Sequence, residues 1–539
     1  MQSLPEEIYA AILQHLPLQH VLKLRQVSNH FRDLTYSRDL WIRLLREETK
    51  VKRRIPVPRL FRDAHSVNTL STVELERCVQ RSLKLYQNWS SPSPVATRKA
   101  FLYTGLTSQW PVPGPASLRI ISLHFVTLSS GRSCLLSVAY GQHLEPRTLL
   151  FELWDISGSA DDASCVAWRD IRLWGGYAVN TTSVVEQGIL AVKTPGVEIW
   201  GVDLSKAPDS AFVTLKTLST EVKIVSSFTG TTLLVLGLHD EVKILDIRDP
   251  SKETELRHPQ PLLPTNQPHV LESIIEHDYI VIVRPITLEL YSLEAFRRSE
   301  DIQVLSPVIV HTFQWRLDSC RIERDIKHYE QAPATHDRPT PINILVRFSS
   351  LFPWPVNLLQ HYVLHPNRLY TPLSGSTAST SPRTTAGLVN INLPFRFPPT
   401  LHQTISSPIR LFAISDMAVG IYGTAVWIDS HTEEYFLQGE TGQRLAGLML
   451  SPATATATTA RFSDSEVLAH EDDGLSGDWS AVTLPPRPDD LTDEPTQSHA
   501  SAVFDVQESD DWNRVAVDEC EGRVAVGSIN GRITLYEYI

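Results

Sequence analysis

Cysteine is scarce in this sequence, with five residues in 539, at positions 78, 134, 165, 320 and 520. Their odd number, wide spacing and lack of any C-x-x-C pair exclude a disulfide framework or zinc module and fit reduced thiols. Long apolar runs are missing too. Nowhere do about eighteen apolar residues follow one another, so no membrane-spanning helix and no membrane partner are expected. The first residues lack the apolar core and small-residue cleavage site of a secretory signal. The expected location is therefore cytoplasmic, nuclear or both, and the sequons at Asn88 and Asn180 read as chance matches.

Catalytic signatures are equally absent. The chain has no G-x-x-x-x-G-K-[ST], no G-x-S-x-G, no H-E-x-x-H and no G-x-G-x-x-G after a strand. His336-Asp337 and His470-Glu471-Asp472-Asp473 gather metal-capable side chains, but inside polar stretches that read as solvated loops. No cofactor, metal or catalytic residue is expected. The net charge of −12 is uneven, since residues 1–65 carry about +5 and the remainder about −17. A body so acidic repels a phosphate backbone, so the basic head points to an acidic protein partner rather than nucleic acid. Its densest part, "KVKRRIPVPR" at 50–59, reads as a solvated helix end and Pro-broken linker, with a nuclear-localisation patch as the alternative.

What the head does contain is apolar periodicity. In "LPEEIYAAILQHLP", residues 4–17, Ile8, Ile12, Leu13 and Leu16 form one helical stripe. Ser3 and Glu6 have capping-box spacing, Pro5 suits a first turn, and Pro17 ends the helix. Val21, Leu22 and Leu24 make a second short helix. Ser28 is placed to cap a third carrying Phe31 and Leu34, and Leu40, Trp41, Leu44 and Leu45 mark a fourth. So short a segment is marginal alone and holds more apolar residues than one small core uses. It needs a partner, or the rest of the chain.

The order Leu4-Pro5-x-Glu7-Ile8, Ile12-Leu13-x-x-Leu16-Pro17, Leu22-x-Leu24-x-x-Val27-Ser28-x-x-Phe31 and Leu40-Trp41 resembles the F-box along its full length. Phe31 stands where that family usually has Trp. The resemblance implies docking on a Skp-type adaptor subunit, and through it a cullin, of a ubiquitin ligase, with the rest of the chain capturing a protein substrate. It implies adaptor contacts through Leu4, Pro5, Ile8, Ile12, Leu16, Leu22, Leu24, Val27, Phe31 and Trp41, the last three divided between contact and module core.

Further on, Leu75, Val79, Leu83 and Tyr86 lie at helical spacing within 71–94, a connecting helix that breaks in a Ser/Pro cluster. The phrase "ELERCVQRSLKLYQNW" resembles a segment that follows the F-box in fungal proteins of this type. From about residue 116 the sequence turns to short strands between Gly, Asp, Asn and Pro. Aligning "FELWDIS", "GVEIWGVD", "VKILDIRD" and "LELYSLE" places Trp154, Trp200, Leu245 and Tyr291 in register at intervals of 46, 45 and 46 residues. That period is the size of a four-stranded propeller blade, which cannot bury both faces unless blades stack. Tyr362, Trp427 and Tyr536 continue the series at 71, 65 and 109 residues, the excess falling in polar insertions at 330–341, 371–386 and 451–498.

The expected architecture is a small all-α F-box module (1–48), a basic linker with a connecting helix (49–115), and a large all-β domain (116–539), a seven-bladed β-propeller. Its final strand, "RITLYEYI" at 532–539, is expected to close the ring beside strands between about 100 and 128. The expected function is a non-catalytic substrate adaptor of an SCF-type ubiquitin ligase. The rival readings are a propeller scaffold without a ubiquitination role and a propeller enzyme. The substrate and its contact residues stay unknown.

Overall fold

Alternating apolar and polar residues between Gly-, Asp- and Asn-rich turns build seven antiparallel sheets of four main strands. The computed structural model describes residues 5–16, 18–46, 69–105, 118–141, 148–172, 176–181, 188–250, 252–258, 270–297, 304–326, 339–348, 358–367, 369–371, 392–409, 415–430, 442–450, 497–498 and 502–539. Blade 1 is Leu118–Thr127, Ser133–Gly141, Thr148–Asp155 and Ser164–Ile171. Blade 2 is Tyr177–Val179, Leu190–Lys193, Val197–Val202 and Phe212–Leu218. Blade 3 is Val222–Thr229, Thr232–Gly237, Val242–Asp246 and Glu253–Leu256. Blade 4 is Glu272–Glu276, Tyr279–Val283, Thr287–Ser292 and Ile309–Thr312. Blade 5 is Leu317–Arg324, Ile342–Phe348, Leu358–Leu364 and Thr400–Ser406. Blade 6 is Met417–Val419, Thr424–Ser430, Gln443–Met449 and Ala502–Gln507.

Blade 7 brings together strands from the two ends of the propeller. Trp512–Asp518, Arg523–Ser528 and Arg532–Glu537 supply three strands, and Arg98–Tyr103 the fourth. The closing pair runs antiparallel from Arg98 opposite Glu537 to Tyr103 opposite Arg532. The expected closure is thus present, with Ile533, Leu535 and Tyr536 all buried. The segment assigned above to linker and connecting helix therefore contains a propeller strand. Its sequence hides this, because only Ala100 and Leu102 of "RKAFLY" are buried and the strand opens on two charges.

Seven apolar clusters occupy the seven seams between neighbouring blades. This distribution gives each blade a covered face on both sides, which a single four-stranded sheet cannot achieve alone. Six of the seven repeat anchors lie on third strands, but Trp427 lies on the second strand of blade 6. It stands opposite Ala446 of the third strand, so one large ring fills the place from the neighbouring strand while a small residue occupies the expected one. The insertions are also narrower than their composition suggests. Thr340 donates from its backbone N–H to Glu276 Oε1 at 3.1 Å, and Gln497–Ser498 pair in parallel with Thr404–Ile405 on the outer edge of blade 5. Residues 327–338, 372–391 and 451–496 lie outside the described residues. Val304–Leu305 cover the edge of blade 3 in the same parallel manner.

Just past the closing strand, Gly105 donates its N–H to Glu152 Oε1 at 3.0 Å. Burial pushes the Glu152 carboxyl up to about 7 from its usual range. The folded protein then holds a proton that the unfolded chain releases, so stability falls as pH rises from about 4.5 through about 7. Glu152→Gln keeps the acceptor and removes the charge. Melts at pH 5 and pH 8 should show the variant gaining on the parent at the higher pH, on the order of 2 kcal/mol. An unchanged difference between the two pH values contradicts the assignment.

Candidate functional site

Among the described residues four short helices precede the propeller: α1 (Glu6–Gln14), α2 (Leu18–Leu24), α3 (Asn29–Thr35) and α4 (Arg38–Arg46). A long fifth, α5 (Thr72–Trp89), follows. Pro5 is the N-cap of α1; Ser3, and with it the expected capping box, and Pro17 lie outside the described residues. Ser28 does cap α3, its Oγ accepting from the Phe31 N–H at 3.2 Å. At α5 a full capping box forms between Ser71 and Glu74.

The core of this module is not self-contained. Leu13, Val21, Leu40, Trp41, Leu44 and Leu45 pack with Leu75, Cys78 and Val79 of α5 and with Tyr422 and Cys520 of the propeller. Burial pushes the Cys78 thiol up to about 12, which makes it inert at neutral pH. The buried face of α5 is Leu75, Cys78, Val79, Ser82, Leu85 and Trp89, a stripe rotated from the expected Leu75-Val79-Leu83-Tyr86. The rotation lets one helix serve two cores, because Leu85 and Trp89 join the seam between blades 6 and 7. Contacts to the propeller come through turns after the first strands of blades 5, 6 and 7. Arg81 Nη2 donates to Glu521 Oε2 at 2.8 Å, and Ile326 and Ile421, joined to each other by a backbone hydrogen bond at 3.1 Å, pack against the module's core.

Against this packing the expected contact residues separate. Ile8 is 44% exposed, Ile12 48% and Val27 67%. Pro5 is exposed, while Leu16, Leu22, Leu24 and Phe31 are half-buried. Leu4 lies outside the described residues. Trp41 requires a correction. It is fully buried and its Nε1–H donates to the Thr35 carbonyl at 2.8 Å, so it belongs to the module core and presents nothing to a partner. Sequence reasoning missed Tyr36, which is 49% exposed at the end of α3. No periodic signal marks it, because it follows the helix rather than lying within it. Single exposed apolar residues are ordinary, but among the described residues four large ones stand exposed within this one short module. Tyr9 on α1 meets Phe31 on α3 edge to face at 5.6 Å, tying these two helices together.

Charged side chains on and beside the inner strands link neighbouring blades. Arg321 of blade 5 donates to Glu272 of blade 4 at 3.0 Å and to Asp416, beside blade 6, at 3.1 Å. Asp416 also accepts from the Val515 N–H of blade 7 at 3.0 Å, so one carboxylate and one guanidinium link four blades. Of the aromatics that could mark a recognition surface, Trp168 packs at the seam of blades 7 and 1 and Trp315 is 38% exposed; Trp174 and Trp354 lie outside the described residues. His336-Asp337 and His470 to Asp473 lie outside them too.

Residues 1–47 match the F-box-like family. No curated protein matches the sequence. Among solved structures, the chain is similar to one in a humanized mutant of the Chaetomium thermophilum Polycomb Repressive Complex 2 bound to the inhibitor GSK126. That likeness has 10% identity over 82% of this chain and 97% of the other, with a TM-score of 0.44. A crystal structure of the Chaetomium thermophilum complex gives 10% identity, 82% and 97% coverage and a TM-score of 0.43. The computationally designed Ika8 protein gives 9%, 79%, 98% and 0.37. The propeller rests on its own strand pairing rather than on these likenesses. The chain thus carries an F-box-like domain at residues 1–47, joined through α5 to a seven-bladed β-propeller.

Proposed function

We propose that this chain is the substrate-recognition subunit of a cullin-based SCF-type ubiquitin ligase, acting in the cytoplasm or nucleus. Its F-box-like domain docks on a Skp-type adaptor and its propeller holds a protein substrate. The observation that carries this reading is the set of exposed apolar side chains, Ile8, Ile12, Val27 and Tyr36, on and between the helices that match the F-box-like family. The chain itself makes and breaks no bond. It raises the effective concentration of a substrate lysine near the ubiquitin thioester.

Because the module's core includes α5 and two propeller residues, the test uses the full chain. Ile8→Asp with Ile12→Asp should abolish co-elution with a purified Skp-type adaptor in size-exclusion chromatography, while leaving the propeller's melt unchanged. Ile8→Ala alone should weaken the complex by about 2 kcal/mol, roughly thirtyfold. Wild-type chain that forms no complex at micromolar concentration overturns the reading. If the complex forms but no captured partner is ubiquitinated by the reconstituted ligase, the scaffold reading takes its place.

A further inference from the structure

Arg25 occupies the turn between α2 and α3, one residue after the half-buried Leu24 and two before the exposed Val27. Its guanidinium forks onto Glu76 of α5, Nη1 to Oε1 at 2.7 Å and Nη2 to Oε2 at 2.8 Å. Its Nε donates to Thr35 Oγ1 at 3.0 Å, and Nη2 also reaches the Thr35 carbonyl at 3.2 Å. The guanidinium carbon lies 4.5 Å from the ring centre of Tyr36 and 5.4 Å from that of Trp41. Glu76 is steadied from its own helix by Gln80 Nε2 at 2.8 Å. The two side chains are only 17% and 13% exposed, so solvent competes weakly with the fork.

The far half of α5 is bolted to the propeller. Arg81 pairs with Glu521 at 2.8 Å, Asn88 Nδ2 donates to the Tyr538 carbonyl at 3.1 Å, and Trp89 meets Phe504 and Tyr538 edge to face. A continuous route therefore runs from the exposed Tyr36 through Arg25 and Glu76 into α5 and on to blade 7. Along most of that route the module meets α5 by apolar packing, which attracts without fixing an angle. The fork is different in kind: two parallel hydrogen bonds between planar groups tolerate little rotation.

We infer that Arg25 is a positioning residue, whose fork on Glu76 sets the angle at which the surface bearing Ile8, Ile12, Val27 and Tyr36 is held relative to the propeller. Its consequence for ubiquitin transfer rests on the adaptor reading above, since a fixed angle matters when a substrate lysine must meet a thioester. Its measurement does not.

The test places spin labels on exposed Gln19 and Asp209 of the full chain (Q19C, D209C), with Cys165→Ser to prevent stray labelling, and reads the distance distribution by pulsed dipolar spectroscopy. Wild-type protein should give one narrow peak. Arg25→Met and the milder Glu76→Gln should each at least double its width, and the exchanged pair Arg25→Glu with Glu76→Arg should narrow it again. Adaptor affinity, measured on the same Arg25 and Glu76 variants without the labelling substitutions, should change less than threefold. A peak that stays narrow in both single variants overturns the inference. So does a tenfold loss of adaptor affinity at unchanged width, which would make Arg25 part of the docking surface itself. If wild-type chain binds no adaptor, the functional reading fails while the distance distributions still decide the role of the fork.

Discussion

Removing residues 532–539 should abolish the cooperative melt of the entire propeller rather than fray one end. The strand Arg532–Glu537 pairs on one side with Arg523–Ser528 and on the other with the closing strand Arg98–Tyr103. Its loss leaves Arg98–Tyr103 without a partner and uncovers two seams at once, because Ile533 and Leu535 face blade 1 while Tyr536 and Tyr538 face blade 6. Tyr538 is also part of the seat of Trp89, so α5 loses its anchor with the ring. Four buried apolar side chains at about 1.5–3 kcal/mol each approach the 5–15 kcal/mol that typically holds a folded domain together. Calorimetry on the truncated chain should show no sharp transition. A cooperative melt near the full-length midpoint would contradict ring closure through this strand.

Trp41→Ala should produce the second large effect, confined to the helices. Trp41 is fully buried among Leu13, Leu40, Leu44 and Leu75, and its Nε1–H satisfies the Thr35 carbonyl. Deleting the indole leaves a cavity and costs about 3–5 kcal/mol. The helical module should unfold and lose adaptor binding while the seven seams keep their melt. Trp41→Phe separates the two contributions, retaining most of the packing and removing one buried hydrogen bond worth roughly 1 kcal/mol. Circular dichroism at 222 nm over a thermal ramp gives the reading. If Trp41→Ala leaves the helices intact and weakens adaptor binding alone, Trp41 is a contact residue after all.

These cases show which parts of the molecule are legible in sequence. The propeller announced itself because Trp154, Trp200, Leu245 and Tyr291 recur on the third strands of four consecutive blades. The rhythm failed at blade 6, where the large ring moved to the second strand and a long connection precedes the fourth. Parallel edge strands such as Val304–Leu305 carry two residues and therefore no period to detect. In the head, the stripe through Ile8 and Ile12 was readable as apolar. Whether a given member faces a core or a partner was not, and Trp41 fell on the opposite side from Ile8. Arg25 was invisible for a further reason: its partner Glu76 stands 51 residues away, and only the packed helices bring them together.

The proposed docking of an adaptor on the F-box-like helices, with the propeller left open for substrate, is decided by amide hydrogen exchange on the full chain, alone and saturated with a purified Skp-type adaptor. Exchange should slow in α1, α2 and the turn through Val27, with no change along the seven blades. Slowed exchange in the blades with α1 unaffected, or no difference between the two samples, would contradict it.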